Sequence, residues 1–198
     1  MNPDIAHLAS ILERGGVVIL PTDTIYGLHA IATDAEAVDR IVSIKGRDDA
    51  KPFVVLGASR AQLESIGARF DDEARRILDE LWPGPVTAIV MLENRIAASR
   101  KHDTIAVRVP ALDWLRDLIE ITGPLASTSV NRSGERPISS PKELTNETVA
   151  RIDAVIDSGP LEGNPSTIVD FSGAEPRLIR EGDSLFTQKV WKTLRKSL

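Results

Sequence analysis

VVILPTDTIYGL, residues 17–28, joins an uninterrupted apolar run to a cluster of hydroxyls around one carboxylate. Val17 to Leu20 reads as a strand buried on both faces, the kind found inside α/β sheets. The polar side chains that follow then emerge at a sheet end, where open α/β sheets bind ligands. Thr22, Asp23, Thr24 and Tyr26 offer hydroxyls and a carboxylate at close spacing, and Gly27 allows close backbone approach. The same residues also suit a turn satisfied by its own side-chain hydrogen bonds. Composition alone favours the self-satisfied turn.

Working outward, short apolar runs alternate with amphipathic segments along the whole chain. Asn2-Pro3 reads as an N-cap and first helical residue, with Ile5, Leu8 and Leu12 on one face and Gly15 as the stop. Thr33 and Glu36 form a capping box ahead of Val38, Ile41 and Val42, and Gly46 falls at the C-terminal cap. Phe53 to Leu56 reads as a strand. Ser59 with Gln62 opens a short helix, and Asp71 opens another with Ala74, Ile77, Leu78 and Leu81 inward. Trp82-Pro-Gly-Pro85 stops it before a strand at 86–92. A strand over 104–109, a helix near 111–121 and strands near 125–129, 154–157, 166–171 and 177–180 follow. Ser184 opens a last helix carrying Leu185, Val190, Trp191 and Leu194. The expected fold class is α/β, one domain over residues 1–198 with a twisted, open, mixed sheet and flanking helices.

The 198 residues suffice to bury a core without disulfides or metals. A formal net charge of −5 weighs against a general nucleic-acid binder but leaves room for a local basic cleft. The absence of cysteine rules out disulfides, thiolate metal sites and a cysteine nucleophile. His7, His29 and His102 are scattered singly, so no HExxH zinc pattern exists. The start MNPDIAHLAS lacks the basic opening and apolar stretch of a signal peptide, and no run approaches a membrane span. The expected location is the cytoplasm, with no membrane partner.

Four further clusters carry polar chemistry. Lys45-Gly46-Arg47, with Lys51 nearby, can clamp phosphates or complement a helix C-terminus. In Thr104-Ile-Ala-Val-Arg-Val-Pro110, alternation puts Thr104, Ala106 and Arg108 on one face. An arginine inside such a strand needs a partner, either a structural carboxylate or a substrate carboxylate. Ser127-Thr-Ser-Val-Asn-Arg-Ser-Gly134 can turn hydroxyls and N–H groups toward phosphates, or cap itself as a loop. The sequence around it is neither a P-loop nor a GxSxG elbow. Ser166 and Thr167 precede a strand in PSTIVD, and Arg180 ends another in LIREG.

In order and spacing, PTDTIYGL, KGR…KPFVVL, WPGPVT, IAVRVP, STSVNRSG and PSTIVD…LIREG resemble the YrdC/TsaC family, the threonylcarbamoyl-AMP synthases. The resemblance covers about residues 10–182 and corresponds to the short, single-domain form. It implies an α/β fold with a large central cleft. It also implies that L-threonine and bicarbonate give an N-carboxylated threonine, which attacks the α-phosphate of ATP and releases pyrophosphate. A separate threonylcarbamoyl transferase complex then uses the product on adenosine 37 of tRNA. Mg²⁺ is the implied cofactor, arriving with ATP.

Residue by residue, the resemblance assigns Thr22, Thr24, Arg108, Thr128 and Ser166 to threonine. It assigns Lys45, Arg47, Thr104, Ser129, Asn131 and Arg180 to the nucleotide, with Lys45 and Arg47 positioning its phosphates. No covalent nucleophile is implied. Val130 stands where many members have alanine, Leu56 where some have histidine, and His29 where a small residue is frequent. Two other readings compete: a non-catalytic RNA-binding protein of rRNA or tRNA maturation, with RNA contacting the basic cleft, and a carbamoyl-transfer domain like those of hydrogenase-maturation proteins. The latter usually sit in longer chains with zinc motifs.

Overall fold

Asp4 starts the first helix: its carboxylate accepts the His7 N–H at 3.0 Å, and α1 (Ile5–Glu13) buries Leu8, Ala9, Ile11 and Leu12. The structure, a computed structural model, describes residues 3–46, 52–131 and 136–195, so the expected cap Asn2 lies outside the described residues. β1 (Val18–Pro21) is buried at every position, as its apolar run requires. It folds back at once into β2 (Tyr26–Ile31), antiparallel, with Pro21 opposite Tyr26 and Val18 opposite His29. Only residues 22–25 are therefore turn.

α2 (Ala35–Lys45) is capped by Asp34, one residue beyond the expected Thr33. Its carboxylate accepts the Ala37 N–H at 3.0 Å, and a charged acceptor suits the positive end of a helix. Gly46, with φ of 55°, ends the helix as expected. β3 (Val54–Leu56), α3 (Arg60–Ser65), β4 (Ala68–Arg69), α4 (Asp72–Leu81) and β5 (Val86–Leu92) follow, with Ser59 and Asp71 in their expected capping roles. Then come β6 (Thr104–Arg108), α5 (Asp113–Thr122), β7 (Leu125–Ser129), α6 (Asn146–Val149), β8 (Ala154–Val155), β9 (Thr167–Asp170), β10 (Arg177–Arg180) and α7 (Ser184–Arg195).

The strands form one mixed sheet in the order β10-β9-β5-β6-β3-β7-β2-β1-β8, with β4 beside β5. β1 and β8, β3 and β6, and β5 and β9 pair in parallel, and the remaining pairs are antiparallel. One sheet face carries the larger core, under α2, α4 and α7. The other face is covered by α1 and α5, packed on Val18, Leu20, Leu56 and Leu125. Val54 belongs to this second layer yet also lines an open cleft with Gly27, Ser127 and Arg108. The cleft is thus the part of that face the two helices leave uncovered. α7 buries Thr187, Val190, Thr193 and Leu194, while Leu185 and Trp191 point outward, 73% and 42% exposed. Among the described residues no helix is long and apolar enough to cross a membrane.

Candidate functional site

The 22–25 turn is held by its own hydrogen bonds and still faces the cleft. Thr22 Oγ1 donates to the Ile25 carbonyl at 2.9 Å and accepts the Thr24 and Ile25 N–H groups at 3.1 and 3.2 Å. Thr22 Oγ1 also lies 2.8 Å from the Thr24 hydroxyl, a contact in which either oxygen can donate. Its hydrogen-bonding capacity is then spent inside the turn. Thr24 Oγ1 in turn accepts from Arg108 Nη1 at 3.0 Å and keeps one hydrogen-bonding position, a lone pair or its hydrogen, for a ligand. Of the two hydroxyls, Thr24 is the one with hydrogen-bonding capacity left over, and Thr22 fixes its position.

Arg108 ends β6 and is 4% exposed. Its Nη2 lies 3.5 Å from Asp23 Oδ1, and Asp23 Oδ2 accepts the Ala111 N–H at 3.1 Å. Asp23 thereby bridges the hairpin turn to the end of β6, a partner that strand alternation could not name. Arg108 Nε and Asp23 Oδ1 have no hydrogen bond. Burial pulls the Arg108 pKa down, Asp23 pulls it up, and the positive Arg180 pushes it down again. Arg108 and Arg180 thus both line the cleft, and Asp23 lies beside Arg108, which leaves the cleft suited to an anion.

Arg180 ends β10 and grips the Ser166 carbonyl with Nε and Nη2 at 3.1 and 2.9 Å. Its Nη2 also reaches Ser166 Oγ at 3.3 Å, and that hydroxyl lies 2.8 Å from Thr87 Oγ1. Lys45, in the last turn of α2, donates to the Ser129 carbonyl and lies 3.5 Å from Ser129 Oγ. Tyr26 is not a cleft-facing hydroxyl. Its ring is fully buried, and its oxygen donates to the Gly159 carbonyl at 2.7 Å and accepts the Ser158 N–H at 3.0 Å. These bonds pin the irregular segment 156–166 across the hairpin turn. A side chain at Gly163 would stand 1.9 Å from the Thr24 carbonyl oxygen, so only glycine fits that crossing.

Thr22, Thr24, Arg108, Thr128, Ser129, Asn131, Ser166 and Arg180 all line one cavity of about 340 Å³. Ile25, Gly27, Pro52, Val54, Ser127, Pro137 and Pro165 complete its wall. The three prolines carried no polar signal in the sequence. Lys45 and Asn131 adjoin a second cavity of about 390 Å³ with apolar walls at Ile44, Val130, Ile138 and Leu144. Thr104 is not on the wall of the first cavity. It opens β6 opposite Met91, about 13 Å back along the strand from Arg108 at ~3.3 Å per residue. Arg47 and Lys51 lie outside the described residues.

Residues 10–182 match the Sua5/YciO/YrdC family model, whose description is telomere recombination. The chain is 34% identical over 178 residues to the threonylcarbamoyl-AMP synthase of Pyrococcus abyssi, covering 88% of this chain and 52% of that protein. It is 32% identical over 193 residues to a putative threonylcarbamoyl-AMP synthase of Mycobacterium tuberculosis, covering 96% of this chain and 88% of that protein. The fold superposes on the crystal structure of P. abyssi Sua5 complexed with L-threonine with a TM-score of 0.85 at 33% identity, over 94% of this chain and 56% of that one. The chain therefore spans about half the length of the P. abyssi protein and most of the M. tuberculosis one. With its match running from residue 10 to residue 182, the chain belongs to the Sua5/YciO/YrdC family.

Proposed function

We propose that the chain is an enzyme, an L-threonylcarbamoyladenylate synthase making threonylcarbamoyl-AMP and pyrophosphate from L-threonine, bicarbonate and ATP. The observation that carries this reading is Arg108: a buried guanidinium in an open cleft, beside Arg180, with Asp23 as its nearby carboxylate. Its unbonded Nε suits a substrate carboxylate, and the remaining hydrogen-bonding position of Thr24 suits a polar group of an amino acid. The P. abyssi protein has been crystallised with L-threonine, which supports threonine as the amino acid here.

In the proposed reaction the threonine amine attacks the bicarbonate carbon and water leaves, giving N-carboxythreonine. A carboxylate oxygen then attacks the α-phosphorus of ATP. The new P–O bond forms as the bond to the bridging oxygen breaks, and pyrophosphate departs. Two anions must meet, so positioning and charge neutralisation supply most of the catalysis. Asn131 lines both cavities, and Lys45 lies against Ser129 beside it; this polar group supports a phosphate site at Lys45, Ser129 and Asn131. Mg²⁺ enters on the ATP phosphates; the oxygens of Ser129, Thr128 and Asn131 are hard donors compatible with such an ion and its waters. The product passes to a separate threonylcarbamoyl transferase complex for tRNA adenosine 37.

Pyrophosphate release tests the reading. Purified protein with Mg²⁺-ATP should release pyrophosphate only when threonine and bicarbonate are both present. Release independent of threonine, or none at all, contradicts it.

A further inference from the structure

Under the cleft floor lies a histidine that none of these steps uses. His29 sits in β2 directly opposite Ser127 of β7, and Ser127 is opposite Val54 of β3. Paired residues project to the same side of a sheet, so His29 shares the cleft face with the wall residues Ser127 and Val54. The imidazole is fully buried, and neither ring nitrogen has a hydrogen bond. It leans over Gly27: a side-chain carbon there would stand 2.8 Å from His29 Nε2 and 3.3 Å from Ser127 Oγ. A ring nitrogen and a hydroxyl therefore flank one point on the cleft floor, and glycine is what makes room for both.

Burial drives the His29 pKa down to about 3; the Leu20 carbonyl raises it without completing a hydrogen bond, and Arg108 lowers it. At physiological pH the ring is neutral, with one nitrogen a donor and the other an acceptor. A buried nitrogen left unpaired is costly, and an apolar side chain would fill the same space without that cost. Buried side-chain atoms of Arg108, on the cleft wall, and of its neighbour Asp23 also lack a hydrogen-bond partner.

We propose that His29 is a positioning residue for the amino-acid substrate, acting through Ser127. With substrate bound, the acceptor nitrogen of the imidazole takes the Ser127 hydroxyl hydrogen. The lone pairs of Ser127 Oγ then face the cleft and accept the amine N–H of the substrate. The proposal rests on the reading of the cleft as an amino-acid site.

Steady-state kinetics of His29→Leu, His29→Gln and Ser127→Ala, singly and as the Leu/Ala double variant, test it. His29→Leu should raise the threonine KM about three- to tenfold, the effect of one neutral hydrogen bond, and leave the ATP KM unchanged. His29→Gln, which keeps an acceptor, should restore most of the loss. The double variant should be no worse than Ser127→Ala, because both act on one bond. Equal losses for both substrates, or additive losses in the double variant, overturn the proposal and mark His29 as structural filling. Should His29→Leu not fold, imidazole nitrogen NMR of the wild-type chain decides. A change at His29 on adding L-threonine that Ser127→Ala abolishes supports the proposal, and no change overturns it. Failure of the wild-type chain to bind threonine would instead remove the substrate reading itself.

Discussion

Arg108 and Lys45 hold charges of the same sign in different surroundings. Arg108 is buried beside Asp23 and Thr24, whereas Lys45 reaches Ser129 from the end of α2. If Arg108 receives the threonine carboxylate, Arg108→Ala removes a charge-assisted hydrogen bond worth about 1.5–3 kcal/mol. The threonine KM should then rise at least tenfold in initial-rate assays, with a much smaller change for ATP; equal changes would make Arg108 structural. Lys45→Ala should show the opposite bias, and an unchanged ATP KM would count against its phosphate role. His29 makes a separate prediction about stability. Its folded pKa is lowered to about 3 from 6.5, so below pH 6.5 the unfolded chain binds a proton the folded chain refuses. Stability is then lost as pH falls through that window, by at most ~1.4 kcal/mol per unit from this group. Urea unfolding at pH 7 and 5.5 should show a shallower pH dependence for His29→Leu than for wild type. Most site residues were legible as hydroxyls and cations near sheet ends. Asp23 as the Arg108 partner was not, because the pairing joins residues 85 positions apart in sequence, and no periodicity reports such a contact.

At the scale of elements, the β1–β2 hairpin and the segment crossing it set the cleft. Tyr26→Phe deletes the oxygen that both donates to Gly159 and accepts from Ser158. Two partly exposed backbone groups lose their partner, a cost of about 0.5–1.5 kcal/mol. Hydrogen exchange at 156–166 should quicken markedly while the β5 amides stay protected; uniform quickening would mean that Tyr26 stabilises the whole fold instead. β5, β7 and β10 begin and end where the sequence placed them, because apolar alternation and turn residues bound them sharply. β2 was hidden inside a motif that read as a turn, since Gly27 and His29 interrupt its apolar pattern. The first two helices begin at Asp4 and Asp34, where a carboxylate rather than the neighbouring asparagine or threonine supplies the cap.

For the molecule as a whole, a formal charge of −5 coexists with a cleft lined by Arg108 and Arg180. The sequence carried the sign of the total but not its distribution, which depends on β6 and β10 bringing Arg108 and Arg180 within electrostatic reach. If one cleft takes both substrates, ATP and L-threonine together should raise the Tm by more than the sum of their separate shifts, since each orders what the other needs. The most direct measurement follows the atoms. Incubation with ATP, nitrogen-15 L-threonine and carbon-13 bicarbonate, read by mass spectrometry, should give one adenylate carrying both labels, with pyrophosphate formed in equal amount. An adenylate lacking either label, or ATP turned over with no such product, would contradict the assignment.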